Sequence, residues 1–246
     1  MENAHIKFKK NYRVELAKSL SGHYYSVSEI KPNGKVKFID YYPSVTTILQ
    51  SFPTSEQLIS WIASQGFHES RAMRDAAGRA GTKIHTAIQA LLEGEELQET
   101  EFTTEEWVKL ESFTKWYKEY KPEVLAMEVP VFSKKGKYAG RLDCIAKIAG
   151  QTYILDWKSS KNIHPSFQLQ FSAYATAVEE NTDIKIDATA AIQLGAANKN
   201  GYRFVIYEDW KKDYNVFKSV KKVWEFDNEK VAKEPPVLVL PATLKL

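Results

Sequence analysis

Cysteine is almost absent from this chain: Cys144 is the single one among 246 residues. One cysteine excludes an intramolecular disulfide and is typical of a reducing compartment. No apolar run approaches the length that a bilayer span needs, and no signal-peptide pattern stands at the N-terminus. We therefore expect a soluble intracellular protein without a membrane partner, in which Cys144 is a core residue rather than a nucleophile.

A strong charge imbalance is lacking as well. The net charge is +3 and the pI is near 8.6, which is compatible with nucleic-acid binding but does not select for it. A Walker phosphate loop is excluded at Gly78–Gly81, because two residues separate these glycines where the pattern needs four. Hydrophobic residues make up 43% of the chain and charged residues 26%, which predicts one globular domain with a sizeable core.

The most informative stretch predicts a β-hairpin. Residues 138–148 and 152–159 are rich in Ile, Leu, Tyr and Trp, and Ala149-Gly150 lies between them as a turn. A loop of these two residues would place Ile148 opposite Gln151. Because Ala-Gly is not an ideal two-residue turn, a bulge that shifts this register by one residue stays open.

The same register places two carboxylates together. Counting back from the turn brings Asp143 opposite Asp156, with Cβ atoms about 4.5–5.5 Å apart. Since alternate residues of a strand share a face, Asp156 and Lys158 lie on one face and Trp157 lies on the other. The pattern therefore predicts a cluster of two aspartates and a lysine.

Opposed carboxylates repel each other unless a cation lies between them. Carboxylate oxygens suit Mg²⁺ or Mn²⁺, and an ion held in this way keeps waters that can attack a phosphate. Lys158 is placed to orient that water or to stabilise charge on phosphate oxygens. The alternative is a solvated hairpin face that carries an ordinary Asp–Lys ion pair.

Several motifs in the right order resemble the PD-(D/E)XK nuclease superfamily. They are GRLD at 140–143, DWK at 156–158 and QFSAY at 170–174. The chain is most similar to the RecB-type, phage and mitochondrial exonuclease-like branch, whose upstream G-T-x-x-H element matches residues 81–85. A glutamate that opens the preceding core strand matches Glu128. Leu142 stands where the superfamily's name has proline, as is usual in this branch.

The resemblance implies an α/β fold: a restriction-endonuclease-like core with a mixed central β-sheet flanked by helices. An N-terminal hairpin, expected at residues 23–42, and a helical elaboration would precede this core. We expect a single nuclease domain over residues 1–246, with the elaboration over 1–122, the catalytic core over 123–227 and a C-terminal tail over 228–246. The tail is expected to act as an arm or an oligomer contact.

The implied function is DNA hydrolysis by an exonuclease with one or two Mg²⁺ or Mn²⁺ ions. A phage or bacterial recombination and repair setting fits best, which implies the cytoplasm of a bacterial cell or of a phage-infected host. A recombination or single-strand-annealing partner protein and a homo-oligomer stay open. The alternatives are a structure-specific or restriction-type endonuclease of the same fold and a non-hydrolytic DNA-binding module.

The resemblance also implies roles for individual residues. The metal ligands would be His85, Asp143, Asp156 and the backbone carbonyl of Trp157. The catalytic residues would be Asp143, Asp156, Lys158, Gln170, Tyr174 and Glu128. Contacts to nucleic acid are implied for Ser44 and Thr46. Independently of the resemblance, Lys134, Lys135 and Lys137 crowd the turn before the Asp143 strand, so we expect them to contact a phosphate backbone, with a solvated turn as the alternative. Gln168 competes with Gln170, which is preferred because its spacing to the tyrosine matches the motif.

Periodicity predicts further helices around this core. Residues 67–93 form the longest helical pattern, with a break expected near Gly78–Gly81. In the preceding helix Trp61 is expected to be a core anchor, and Asp209 is expected to cap the last helix. Lys211, Lys212, Lys218, Lys221 and Lys222 crowd that helix, where a solvated face is the expectation.

Overall fold

The computed structural model describes residues 8–233 and 235–238. The strands are β1 (Tyr12–Ala17), β2 (Tyr24–Ile30), β3 (Val36–Pro43), β4 (Glu123–Ser133), β5 (Tyr138–Ile148), β6 (Gln151–Lys158), β7 (Ala188–Leu194) and β8 (Tyr202–Tyr207). The α-helices are α1 (Val45–Ile48), α2 (Glu56–Gln65), α3 (Phe67–Glu93), α4 (Thr104–Tyr120), α5 (Pro165–Asn181), α6 (Trp210–Asp227) and α7 (Glu229–Lys233). The predicted tail over 228–246 lies partly outside the described residues.

The central sheet has the strand order β4-β5-β6-β7-β8. Strands β6 and β7 pair in parallel, whereas the other neighbours are antiparallel. Helices α5 and α6 contribute to the core on one face of this sheet, and α3 and α4 contribute to the core on the other. The predicted α/β fold, with a mixed central sheet flanked by helices, is confirmed.

The two cores differ in character. The face covered by α5 and α6 is largely aliphatic and includes Leu142, Ile145 and Ile154, all fully buried. The opposite face contains an aromatic cluster in which Trp157 meets Phe113 and Trp116 edge-on, with ring centroids 5.2 and 5.5 Å away. Edge-to-face packing of this kind adds roughly 0.5–1.5 kcal/mol per pair beyond area burial.

A second sheet, β1-β2-β3, lies before the central sheet in the chain. The predicted hairpin over residues 23–42 is confirmed as β2 and β3, and β1 adds a third antiparallel strand. The sequence of β1 was too mixed to predict, because its burial alternates weakly and its pairing partner supplies the order. Tyr25, Val27 and Tyr42 pack this sheet against Phe132 and Ala139.

Three local expectations are wrong. Helix α3 is continuous through Gly78–Gly81, because a glycine inside a helix costs only about 1 kcal/mol and does not by itself end the helix. Trp61 is partly exposed and lies in α2, which has no buried residue and packs against an equally exposed part of α3. Asp209 occupies the N-cap position of α6, but its side chain makes no capping hydrogen bond.

Two observations bear on the tail and on membranes. Backbone amides of Leu20 and Leu238 donate to the carbonyls of Pro236 and Lys18, so the 235–238 segment joins the loop after β1. Within the described ranges, none of the helices has the length and apolar character that crossing a membrane requires.

Candidate metal centre

The turn between β5 and β6 sets the register of the candidate site. Ile148 pairs with Gln151, as predicted. Ala149 has φ 50° and Gly150 has φ 83°, the pair of positive angles that a type I′ turn requires. Ala149 therefore adopts a left-handed conformation that costs an alanine about 1–2 kcal/mol. The tight turn is kept without a bulge.

Asp143 and Asp156 lie where this register directs them. The β5–β6 ladder is regular up to the pair Cys144–Leu155, and the two aspartates follow immediately beyond it. The Trp157 amide donates to Asp143 Oδ2 over 3.0 Å, which ties the Asp143 carboxylate to β6. The expected burial of Cys144 in the core is confirmed.

Two paired rungs of β4 and β5 face opposite cores. Met127 and Cys144 pair and pack on the α3 and α4 side, whereas Val129 and Leu142 pair and pack on the α5 and α6 side. Residues two apart in a strand normally share a face. Glu128 lies between these rungs with φ 49°, a conformation that costs a non-glycine residue about 1–3 kcal/mol. The backbone strain of β4 is thus located at the predicted site glutamate.

Helix α3 brings His85 to the same place. Its Nδ1 lies 3.2 Å from Asp143 Oδ2, and its Nε2 lies 2.8 Å from the Trp157 carbonyl oxygen. One ligand atom each from His85, Glu128 and Asp143 lie within 4.8 Å of one another. Helix α3 therefore meets the neighbouring strands β4 and β5 at one place.

The charged groups around His85 shift one another's pKa values. Burial alone would lower the pKa of His85, but the neighbouring Asp143 carboxylate outweighs burial and raises this pKa to about 9. For the Asp143 carboxyl, burial acts in the opposite direction and would raise the pKa, but the His85 charge lowers this pKa below its usual value. Burial and the Asp143 charge raise the pKa of Glu128. The cluster therefore favours positive charge at its centre.

A polar chain leads from Asp156 into α5. Asp156 is 3% exposed, and burial together with Asp143 raises its pKa to about 6. Its Oδ1 lies 2.7 Å from Lys158 Nζ, but the angles do not form a hydrogen bond, so charge attraction alone serves this buried oxygen. Lys158 donates to Gln170 Oε1 over 3.3 Å, and Gln170 donates to the Tyr174 hydroxyl over 3.1 Å.

Three residues that contact Lys158 or Glu128 were not expected from the sequence. The Lys158 ammonium group lies 4.2 Å from the ring centroid of Phe167 and 5.3 Å from that of Phe171. These phenylalanines are four residues apart on α5, a spacing that could have revealed their common face. Arg141 Nη1 lies 3.7 Å from Glu128 Oε2, and no local pattern in the sequence indicates this pair.

Steric contact explains why residue 140 of the GRLD motif is a glycine. A Cβ atom there would lie 2.6 Å from Cε1 of Tyr174, whose side chain is buried. Gly81, from the matching helical motif, differs because its added Cβ would meet only Ser159 Oγ at 3.4 Å. The glycine before Asp143 is therefore required by packing against the tyrosine of α5, whereas Gly81 is not.

The residues predicted to contact nucleic acid are not members of the ligand cluster, and Ser44 forms a β-bridge with Ala139 of β5. Ser44 caps α1, where its hydroxyl accepts a hydrogen bond from the Thr47 amide over 2.9 Å, and Thr46 is exposed beside it. Lys134, Lys135 and Lys137 occupy the turn between β4 and β5. Lys137 precedes Asp143 by six residues, roughly 20 Å of extended strand. No contact of Gln168 links it to the Lys158–Gln170 chain in the described residues.

The donor set fits a divalent cation. Carboxylate oxygens from two strands suit Mg²⁺ or Mn²⁺, and an imidazole nitrogen suits Mn²⁺ better than Mg²⁺. Asp156 adds a third carboxylate beside this set, and its Oδ1 is paired with the Lys158 ammonium group at 2.7 Å. These groups are suited to hold an ion, while the geometry leaves the identity of the ion open.

Comparison with known proteins is consistent with this chemistry. No family model matches the chain. The chain is similar to mitochondrial genome maintenance exonuclease 1 of Homo sapiens, with 27% identity over 176 residues. The aligned region covers 65% of this chain and 50% of the human protein, so the chain spans about half the length of this relative. The likeness suggests a nuclease family.

Proposed function

We propose that the chain is a divalent-metal-dependent DNA exonuclease of the PD-(D/E)XK superfamily, in its RecB-type and exonuclease-like branch. The observation that carries the proposal is the convergence of His85, Glu128 and Asp143 ligand atoms within 4.8 Å, beside the Asp156–Lys158 pair. The distant likeness to a human exonuclease supports it. We further propose that residues 1–246 form one nuclease domain, divided as the sequence predicts.

Metal binding is assigned to four groups: His85, Asp143, Asp156 and the Trp157 carbonyl. Mg²⁺ or Mn²⁺ bound there would neutralise phosphate charge and supply an activated water. Glu128 adds a carboxylate whose position is maintained at the cost of backbone strain. Its partner Arg141, with 56% of the side chain exposed, can offer a positive charge to an incoming phosphate.

Lys158 has the central catalytic role in this proposal. Its side chain is 15% exposed, and Asp156, Gln170 and the Phe167 ring surround the ammonium group. A lysine fixed in this way orients an attacking water or stabilises charge on the phosphate oxygens without reorganising. Gln170 holds the lysine, and the Tyr174 hydroxyl holds Gln170. Burial raises the pKa of Tyr174, so its hydroxyl stays protonated.

The remaining assignments concern the substrate and its setting. We propose that DNA runs past Ser44, Thr46 and the turn containing Lys134, Lys135 and Lys137. Recombination or repair of phage or bacterial DNA is the proposed setting, with a recombination partner protein or self-association left open. A cytoplasmic location stays a prediction, and the human relative is named as mitochondrial.

Degradation of labelled DNA tests the activity. Linear single-stranded and double-stranded DNA, labelled at one end, would be incubated beside closed circular DNA with Mg²⁺, Mn²⁺ or a chelator. We expect metal-dependent loss of linear DNA while circles stay intact. Cut circles would instead establish an endonuclease, and intact DNA in every lane would contradict hydrolysis by this chain alone.

Two lysine variants distinguish a catalytic role of Lys158 from a general effect of charge. Lys158→Ala should reduce cleavage by at least about 10²-fold, because the positioned ammonium group is lost. Lys147→Ala removes the same charge from an exposed position on β5 of the same hairpin and should leave cleavage unchanged. Binding of DNA in Ca²⁺ would show whether both variants still bind substrate. A fully active Lys158→Ala protein would refute the catalytic assignment.

A further inference from the structure

A basic groove lies between the β4–β5 turn and helix α6. Four lysines line it: Lys135, Lys218, Lys221 and Lys222. Its floor is aromatic and consists of Tyr138, Tyr214 and Phe217, and its volume is about 310 Å³. The two lysine clusters of the sequence, some 80 residues apart, thus contribute to one surface feature.

The walls of the groove are held in place independently of any ligand. The Glu180 carboxylate accepts hydrogen bonds from Ser133 Oγ at 2.6 Å and from the amides of Lys134 and Lys135, each at 3.1 Å. These bonds fix the turn that presents Lys135. On the other side, the fully buried Phe217 anchors α6 in the core. The lysines therefore project from two elements that are already ordered.

Positive charge in the groove is largely uncompensated. Lys221 pairs with Glu225, which also lines the groove. Over residues 8–233 and 235–238, no carboxylate lies within ion-pair distance of Lys135, Lys218 or Lys222. Like charges gathered at one groove repel each other, and an anion placed among them relieves the repulsion. The groove is therefore suited to an anionic ligand.

We propose that this groove binds the sugar-phosphate backbone of the DNA strand whose scissile bond lies at the metal centre, an inference that depends on the proposed function. Lysines at the rim suit phosphate oxygens, and the ring of Tyr214, the partly exposed member of the floor, suits the apolar face of deoxyribose or a base. A free phosphate would use the lysines but not the floor. The combination favours a nucleic-acid strand over a small anion.

Helix α5 connects the groove to the metal centre. Gln170 contacts Lys158 at one end, and Glu180 holds the lysine turn ten residues later. Ten helical residues span about 15 Å. Phosphates on one strand of duplex DNA recur about every 3.4 Å along the axis, so the groove would engage the strand roughly four to five nucleotides from the cleaved bond.

The test is the affinity for DNA of different lengths in Ca²⁺. For the double variant Lys218→Ala/Lys222→Ala we expect the affinity for a 20-nucleotide strand to fall on the order of tenfold. The slope of log affinity against log salt concentration should correspond to about 1–2 fewer phosphate contacts. Binding of a dinucleotide, too short to reach the groove, should not change. Lys115→Ala/Lys118→Ala on α4, at the opposite face of the sheet, is the control with the same loss of charge.

The outcomes separate the groove from the nuclease assignment. Equal weakening by both double variants would reduce the effect to net charge and would overturn the proposal. Weaker dinucleotide binding, or displacement of the long strand by millimolar inorganic phosphate in the wild-type protein alone, would identify a free-anion site and also overturn it. If the wild-type protein cleaves DNA while the groove variant binds DNA normally, the groove proposal is contradicted and the proposed nuclease function is supported. If the groove variant loses affinity for the long strand alone and the wild-type protein does not cleave DNA, the groove proposal is supported and the proposed hydrolysis is contradicted.

Discussion

The two halves of helix α3 have opposite environments. From Ile84 onward the helix is anchored: Ile84, Ala87, Ile88 and Leu92 are buried in the core that it shares with α4 and the sheet. Before that point Ser70 is the one buried residue of α3, and Phe67 and Met73 are 61% and 48% exposed. A single continuous helix therefore has a packed half and a solvated half, and His85 lies in the packed half.

The difference shows how the candidate site gains its geometry. Lys83 marks the boundary, since its ammonium group donates to the Glu101 carbonyl and to Glu106 at 2.7 and 2.8 Å. His85, two residues beyond Lys83, is held between Asp143 and the Trp157 carbonyl. A ligand on a packed helix is positioned far better than one on a solvated helix, where fraying and local opening cost little free energy.

Two histidines of α3 give the comparison with the largest expected effect. His85→Ala should lower Mn²⁺ affinity by about 10–100-fold and cleavage by at least as much, because an imidazole nitrogen of the cluster is lost. His68→Ala, in the exposed half, should leave Mn²⁺ affinity unchanged. Isothermal titration with Mn²⁺ measures both. Equal affinities of the two variants would show that His85 does not bind the metal.

Two apolar residues compare the halves by stability. Ile88→Ala removes a fully buried side chain and should lower the free energy of unfolding by about 2–5 kcal/mol. Met73→Ala, at an exposed position of the same helix, should change it by less than about 0.5 kcal/mol. Urea unfolding followed by circular dichroism measures the difference. Similar losses would mean that the first half of α3 is also packed in solution.

Two glycines give the smallest expected effect. Gly140→Ala drives a Cβ to 2.6 Å from the buried Tyr174 ring, so we expect a loss of about 1–3 kcal/mol and weaker cleavage through displacement of Gln170. Gly81→Ala meets no tight contact and replaces glycine within a helix, so a gain of up to about 1 kcal/mol is expected. Thermal unfolding and cleavage rates measure both variants. A stable and active Gly140→Ala protein would contradict the packing explanation.

Much of the candidate site was predictable because it depends on local rules. A two-residue turn fixes the register of its hairpin, and strand alternation then separates Asp156 from Trp157. Two helix starts follow local rules as well: Ser55 and Thr103 cap α2 and α4 with their side chains, the latter in a capping box, whereas the side chain of Asp209 does not cap α6. Such features involve residues close in sequence, so the pattern contains the necessary information.

Other features depend on partners far away in the chain. The positive φ of Glu128 occurs where β4 passes from one core to the other, and Gly140 is required by a tyrosine on α5. The continuity of α3 and the exposure of Trp61 likewise depend on what surrounds each helix. Periodicity shows which face of an element is apolar, but not whether another element covers it.

The sequence by itself determined the hairpin register and the placement of Asp156 and Lys158 on one strand face, because backbone geometry over a few residues decides them. The α/β class followed from the resemblance of its motifs to a known superfamily. Tertiary structure alone decided that His85 meets Asp143 and the Trp157 carbonyl, that Arg141 reaches Glu128, and that the turn containing Lys135 and helix α6 share one basic groove. The residues in these contacts are separated by 13 to about 80 positions, and the contacts depend on packing of the whole core. Periodicity and strand alternation do not indicate them, although the resemblance implied that His85 joins the site.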